Sequence, residues 1–410
     1  MAINSAAGAA AYQLAAANTL ATPTDLGNVR VGGTFNATLG ITNVAPNTGG
    51  FTETLGATVT GTTGGVTTAS SVVALVQGAT SNAISASFNT ATAGARNGSA
   101  TLGFTSNEIN SSGLGITALA SQTVNFTGTV YQPAVANTLS TPVNLGTVRT
   151  GTLVNTTLGV TNTAPAAGIY NETLGAGIGV SSLGLVGLGS VSGLAQNASS
   201  NALSVQYTAG PAGAFTGNAT VNFTSQGVNG SGLADLALTS QTLSFSATVN
   251  ALAAYNLVNQ SGYTFTPTGP TGATLDFGEI TSVSTLSAPF MLFNSAVGPS
   301  DSLLGSFNFA GLGGSPFSFV GGTNFDLNAG VGQAFSVQFD PLAFGTFVAS
   351  FAVNSASHNQ SQQDLGLGSY TVTLRGTLGT RGVPEDGATV ALLGFAIAGF
   401  LGFRRWVTRF

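Results

Sequence analysis

Large apolar residues alternate with small or polar ones along much of this chain. Phe335, Val337 and Phe339 form one series, and Phe347, Ala349, Phe351 and Val353 another, with Ser, Gln or small residues between them. A period of two sends alternate side chains to opposite faces of an extended backbone, so each run predicts a strand buried on one side. Asp340, Pro341, Phe344 and Gly345 lie between the two series. Proline presets φ and glycine accepts positive φ, so this stretch predicts a turn. With turn signals roughly every 8 to 12 residues, units of about 100 to 120 residues built this way are expected to be antiparallel β-sandwiches of the immunoglobulin-like kind. No helix is expected before the C-terminal tail.

The pattern repeats at domain length. Asn18-Thr19-Leu20-Ala21-Thr22-Pro23 returns 119 residues later as Asn137-Thr138-Leu139-Ser140-Thr141-Pro142. The offset holds for Asn82 and Asn201, for Phe104-Thr105-Ser106 and Phe223-Thr224-Ser225, and for Ser121-Gln122-Thr123 and Ser240-Gln241-Thr242. A period this long suits a whole domain rather than a solenoid rung of roughly 20 to 50 residues, which argues against a single long parallel β-helix. A diverged third copy shares landmarks: Gly27 to Asn43, Gly146 to Asn162 and Gly278 to Asn294 have one spacing, each glycine following Leu26, Leu145 or Phe277. The ends of the copies match as well, with Val124, Phe126 and Gly128 corresponding to Val372, Leu374 and Gly376, and Leu243 and Phe245 between. The expected organisation is an N-terminal segment 1–17, sandwiches at 18–130, 131–250 and 251–380, and a tail at 381–410.

That tail departs from the alternation. Val383-Pro384-Glu385-Asp386-Gly387 precedes an uncharged run over 388–403, followed by Arg404, Arg405 and Arg409. The seventeen residues from Gly387 to Phe403 would reach roughly 25 Å as a helix, at the short end of what crosses a bilayer core. A single transmembrane helix at 388–403 is therefore expected. Arg404 and Arg405 would hold its end on the cytoplasmic face, Trp406 would sit in the interfacial belt, and the body would lie outside. The order of motif, span and basic cluster resembles the PEP-CTERM sorting signal read by exosortases in bacteria that make extracellular polysaccharide. Asp386 stands where that family has a second proline, so the motif is closer to its VPD-type variants. The resemblance implies that Pro384 and Glu385 are read by an exosortase-like enzyme that cuts near the motif.

The third repeat carries a second resemblance. Leu275-Asp276-Phe277-Gly278, Asn294 and the run Phe339-Asp340-Pro341 to Gly345 are similar to landmarks of choice-of-anchor D and hydin-type immunoglobulin-like domains. The first two repeats have Asn89-Thr90 and Thr208-Ala209 in place of the Asp-Pro pair. This resemblance implies a fold and an extracellular role rather than a chemistry.

Composition agrees with export. Only 5% of residues are charged, the basic ones all arginine, and the net charge is −5. A nucleic-acid surface needs clustered cations, and the one cluster is in the tail, so no nucleic-acid partner is expected. Cysteine is absent, so stability must come from apolar burial rather than disulfides. Residues 1–17 hold no Lys or Arg and no continuous apolar stretch, so they do not read as a signal peptide. A start assigned downstream of the true one, or a fragment, is expected.

Candidates for chemistry are few. The single histidine, His358, lies in a polar stretch with Asp364 close by, and reads as a solvated loop residue rather than part of a triad. One His without Cys does not complete a zinc site. Glu53 and Glu172 hold equivalent places, which suggests a shared structural duty such as satisfying backbone donors at a strand end. Asp276 with Glu279 offers a weak calcium pair without the repeated-acid loop such sites use. Asn-x-Thr triplets such as Asn36-Ala37-Thr38 and Asn218-Ala219-Thr220 follow from composition. No catalytic residue, metal or cofactor is therefore expected. The leading expectation is a non-enzymatic, exported surface or matrix protein whose partners are the sorting enzyme, the membrane and extracellular polysaccharide. The alternative is a carbohydrate-binding or adhesive protein using Tyr255, Tyr263 and Phe265.

Overall fold

The computed structural model describes residues 10–380, apart from Asn36, Asn229 and Ser261. The sorting residues Val383, Pro384, Glu385, Asp386 and Gly387, the 388–403 span, and Arg404, Arg405 and Arg409 lie outside the described residues. Among the described residues no helix is long and apolar enough to cross a membrane, and the helical turns are two short 3-10 segments, Gly168–Tyr170 and Ala310–Leu312.

The first repeat forms eight strands: β1 (Thr24–Arg30), β2 (Ala37–Thr42), β3 (Thr54–Thr63), β4 (Val66–Ala69), β5 (Val72–Leu75), β6 (Thr80–Phe88), β7 (Gly94–Asn107) and β8 (Ile116–Tyr131). One sheet has the order β1-β8-β7-β3-β5 and the other β2-β6-β4. Alternation places the core as expected. Val124, Phe126 and Val130 of β8 meet Leu39, Ile41, Ile84 and Ala86 from the opposite sheet in one buried cluster. Gly128 continues the series without a side chain because the Phe35 ring lies there: a Cβ would stand 3.0 Å from two of its carbons. Gly376 is in the same position beneath Phe339.

The second repeat reproduces these strand orders. Val143–Arg149, Gln241–Asn250, Gly213–Gln226, Thr173–Val180 and Ser190–Leu194 form the path of the larger sheet, with the short strand Leu236–Ala237 added beside Gly213–Gln226, and Leu153–Thr161, Ser199–Thr208 and Leu185–Leu188 form the smaller. The third repeat keeps the order again and adds one edge strand to each sheet, Phe265–Gly269 and Tyr255–Asn259. Its core is built on phenylalanine, with the Phe290 ring centroid 5.5 Å from Phe265, 5.7 Å from Phe335 and 6.3 Å from Phe351.

The expectation of wholly antiparallel sheets needs correction at one edge. β1 runs parallel to β8, pairing Thr24 with Phe126 and Arg30 with Tyr131, and Gly272–Ile280 runs parallel to Gln362–Leu378. Alternation encodes which face a residue takes but not strand direction. The first and last strands of a repeat both run toward the end where the chain leaves, so placing them side by side makes them parallel.

By density of contacts the described residues group into two compact units. One holds the chain up to Val143 with Val154–Tyr207 and Gly217–Phe245. The other holds Asn144–Leu153, Thr208–Thr216 and the chain from Ser246.

Candidate functional site

A buried polar cluster recurs where the chain enters each repeat, built on one asparagine, one acid and one serine. Asn43, Asn162 and Asn294 are fully buried. Each Oδ1 accepts from a backbone N–H of the incoming segment, Ala16, Val135 or Ala254, at 3.2 Å, and from the residue two places on, Ala45, Ala164 or Ala296. Each Nδ2 donates to the backbone carbonyl of the acid, Glu53, Glu172 or Asp301, and to Leu75, Leu194 or Leu327. A buried amide must find such partners because each unmet one costs about 1–3 kcal/mol. This duty explains the asparagine landmark.

The acid's side chain meets the serine. Ser106 Oγ donates to Glu53 Oε2 at 2.6 Å, Ser225 Oγ to Glu172 Oε2 at 2.6 Å, and Ser357 Oγ to Asp301 Oδ2 at 2.9 Å. The same hydroxyls accept the N–H of Ala15, Ala134 and Ala253. The equivalence of Glu53 and Glu172 is thus structural, but a hydroxyl satisfies their carboxylates instead of the backbone donors expected from the sequence.

Two of the acids also meet an arginine from the end of a first strand. In the first unit, Arg30 Nε donates to both oxygens of Glu172 at 3.0 and 2.8 Å, and its Nη2 donates to the Ala234 carbonyl. Glu172 is fully buried and the Arg30 side chain is 18% exposed. In the second unit, Arg149 Nε donates to Asp301 Oδ2, with Nη1 on the Gln363 carbonyl at 2.6 Å and Nη2 on the Ser357 carbonyl at 2.9 Å. Burial by itself would raise the Asp301 pKa. Hydrogen bonds from Asn250, Arg149, Ser357 and Asn359 outweigh it and hold the carboxyl below its ordinary range. A planar guanidinium with several fixed donors suits this work, since it meets a carboxylate and neighbouring carbonyls together.

Local backbone explains the reach of each arginine. Gly27 and Gly146 adopt φ of +79° and +81°, and their N–H groups donate to Asp25 Oδ1 and Asn144 Oδ1. The register of β1 against β8 shifts there, between Asp25 and Asn28, and Arg30 then lies opposite Tyr131, where the chain passes to the next repeat. In the third repeat Asp276 Oδ1 accepts from Gly278 N–H in the same way. Asp276 is therefore engaged in a turn through one of its oxygens, and among the described residues no three His, Cys, Asp or Glu gather in a metal-binding group.

The other candidates are placed differently from one another. His358 is not in a loop. It sits in the strand Gly345–Asn359, and its Nδ1 is 2.6 Å from Asp364 Oδ1 on the neighbouring strand. Both side chains are over a third exposed, and the hollow beside His358 is lined by amides, hydroxyls and the acids Asp301 and Asp326, with Ser300, Ser302 and Ser361 as its serines. Tyr255, Tyr263 and Phe265 pack against the core of the third repeat, with Tyr263 5.1 Å from Phe277 and Tyr255 5.5 Å from Tyr370. Each of the three rings is only partly buried there. Asp301 escaped sequence comparison because it follows its asparagine by seven residues where Glu53 and Glu172 follow by ten. Arg30 and Arg149 had a visible signal in their 119-residue spacing, in a chain with few cations.

No known protein family and no curated protein matches this chain in sequence. Solved structures similar to it include the titin I-band fragment I67–I69, at 9% identity over 90% of this chain and 99% of that one, with a TM-score of 0.28. Protocadherin gamma B2 extracellular cadherin domains 1–5 match at 11% identity over 90% of this chain and 61% of that one, with a TM-score of 0.35. The human desmocollin-1 ectodomain matches at 9% over 89% and 62%, with a TM-score of 0.31. Scores this low assign no family and no activity.

Proposed function

We propose that this chain is a non-enzymatic structural protein of the bacterial surface or extracellular matrix, exported and then delivered by its C-terminal sorting signal. The observation that carries the reading is what the chain does with its reactive groups. Glu172 and Asp301, with the arginines and serines around them, are used up in buried contacts that tie repeats together. A catalytic carboxylate must be free to meet substrate, whereas the side chains of Glu172 and Asp301 are enclosed and already held by these donors. A surface of hydroxyls, amides and glycine with 5% charge suits contact with polysaccharide. The succession in sequence of Val383 to Gly387, the uncharged span and Arg404, Arg405 and Arg409 supports delivery through a membrane stage and an exosortase-like partner. Cell fractionation with intact-mass analysis tests the proposal. A body outside the cytoplasm that ends near residue 385 is expected, and native protein confined to the cytoplasm at full length would refute it.

A further inference from the structure

The three acids are equivalent in place but not in company. Glu172 and Asp301 each hold an arginine from the first strand of the preceding repeat. Glu53 does not: it is 1% exposed, its side chain takes a hydrogen bond from Ser106 Oγ, and among the described residues no cation pairs with it. The rest of its surroundings copy those of Glu172. Gln13 bridges to Thr52 as Gln132 bridges to Asn171, and Tyr12 meets Phe51 edge-on at 5.5 Å as Tyr131 meets Tyr170 at 6.1 Å. A carboxylate this buried needs more than one hydroxyl to offset the loss of water, and in both sister sites a guanidinium supplies the difference.

We propose that Glu53 is a receptor for an arginine at the end of the first strand of another sandwich of this pattern, one carrying Gly-x-Val-Arg as in Gly27 to Arg30 and Gly146 to Arg149. Charge complementarity and two filled examples in the same chain define that occupant. The third repeat of a second copy does not fit, because Thr281, exposed, follows Ile280 at the place where Arg30 follows Val29. The array is therefore directional, with an acceptor at the first repeat and no donor at the third.

The test uses the full chain and a version extended by a copy of residues 12–130 inserted ahead of Tyr12, with glutamate carboxyl carbons labelled for NMR. The extended chain is made with the copy's counterpart of Arg30 intact and with that residue changed to Gln. At pH 7 the Glu53 carboxyl resonance of the intact form is expected to differ from that of the Gln form, as contact with a guanidinium requires. The same Glu53 resonance in the two forms overturns the proposal. Sedimentation of the unextended chain and its Glu53→Gln variant provides the second arm: self-association that Glu53→Gln abolishes would make a second copy the occupant, which also overturns it, whereas equal behaviour of the two agrees with it.

Discussion

Arg30 closes on Glu172 at 2.8 Å across 142 residues of sequence, bringing the exit of one repeat onto the entrance of the next. The carboxylate is fully buried and the arginine side chain is partly so. Removing one partner of such a pair strands the other without water. Arg30→Ala or Glu172→Gln should each cost the first unit up to about 3–5 kcal/mol, toward the lower end because Arg30 keeps some exposure. The double variant should cost less than the sum. Urea unfolding of the four proteins of this cycle measures the coupling, and additive losses would show that the contact contributes nothing of its own.

Asp301 makes stability depend on acid. Its folded-state pKa is depressed, because hydrogen bonds from Asn250, Arg149, Ser357 and Asn359 outweigh the effect of burial. The stabilisation is present above the unfolded value of about 3.9 and is lost as pH falls through the lower folded value. Thermal unfolding of the second unit should thus be insensitive to this group from pH 7 to about 5 and weaken below about pH 4. Asp301→Asn should be less stable at neutral pH and should show a shallower acid limb. An unchanged acid limb in that variant would assign the pH dependence to other carboxylates.

Phe290 is the hub of the aromatic core of the third repeat, with Phe265, Phe307, Phe319, Phe335 and Phe351 around it. Phe290→Ala should cost about 3–5 kcal/mol through lost burial and the cavity left behind. Phe265→Ala, on an added edge strand and only partly buried, should cost less. Calorimetry ranks the two, and the reverse order would mean that the edge strand carries the packing.

The tail separates insertion from recognition. Pro384→Ala with Glu385→Ala should leave membrane insertion intact, because the span and Arg404 with Arg405 still satisfy the bilayer, yet full-length precursor should accumulate. Deleting residues 388–410 should release a soluble exported body. Processing that is identical in the double variant and the parent would reduce the motif to a turn ahead of an ordinary anchor.

Much of this architecture was legible in one dimension because its cause is local. Val124, Phe126 and Val130 alternate since a strand with one wet face must bury every second residue, and the 119-residue register announced that the first two repeats share strand orders. Glycine and asparagine landmarks marked real constraints, a positive φ at Gly27 and a buried amide at Asn43. What only the tertiary structure decided was partnership. Strand direction at the β1–β8 edge, the seating of Tyr263 against Phe277 and the place of His358 within a strand all depend on what folds beside them. So does the junction: Arg149 and Asp301 are 152 residues apart, and Asp301 sits on a shortened loop that breaks the repeat spacing. Periodicity reports which face a residue takes, whereas a pair joined through space is selected by the energy of burying charge, which leaves no period in the sequence.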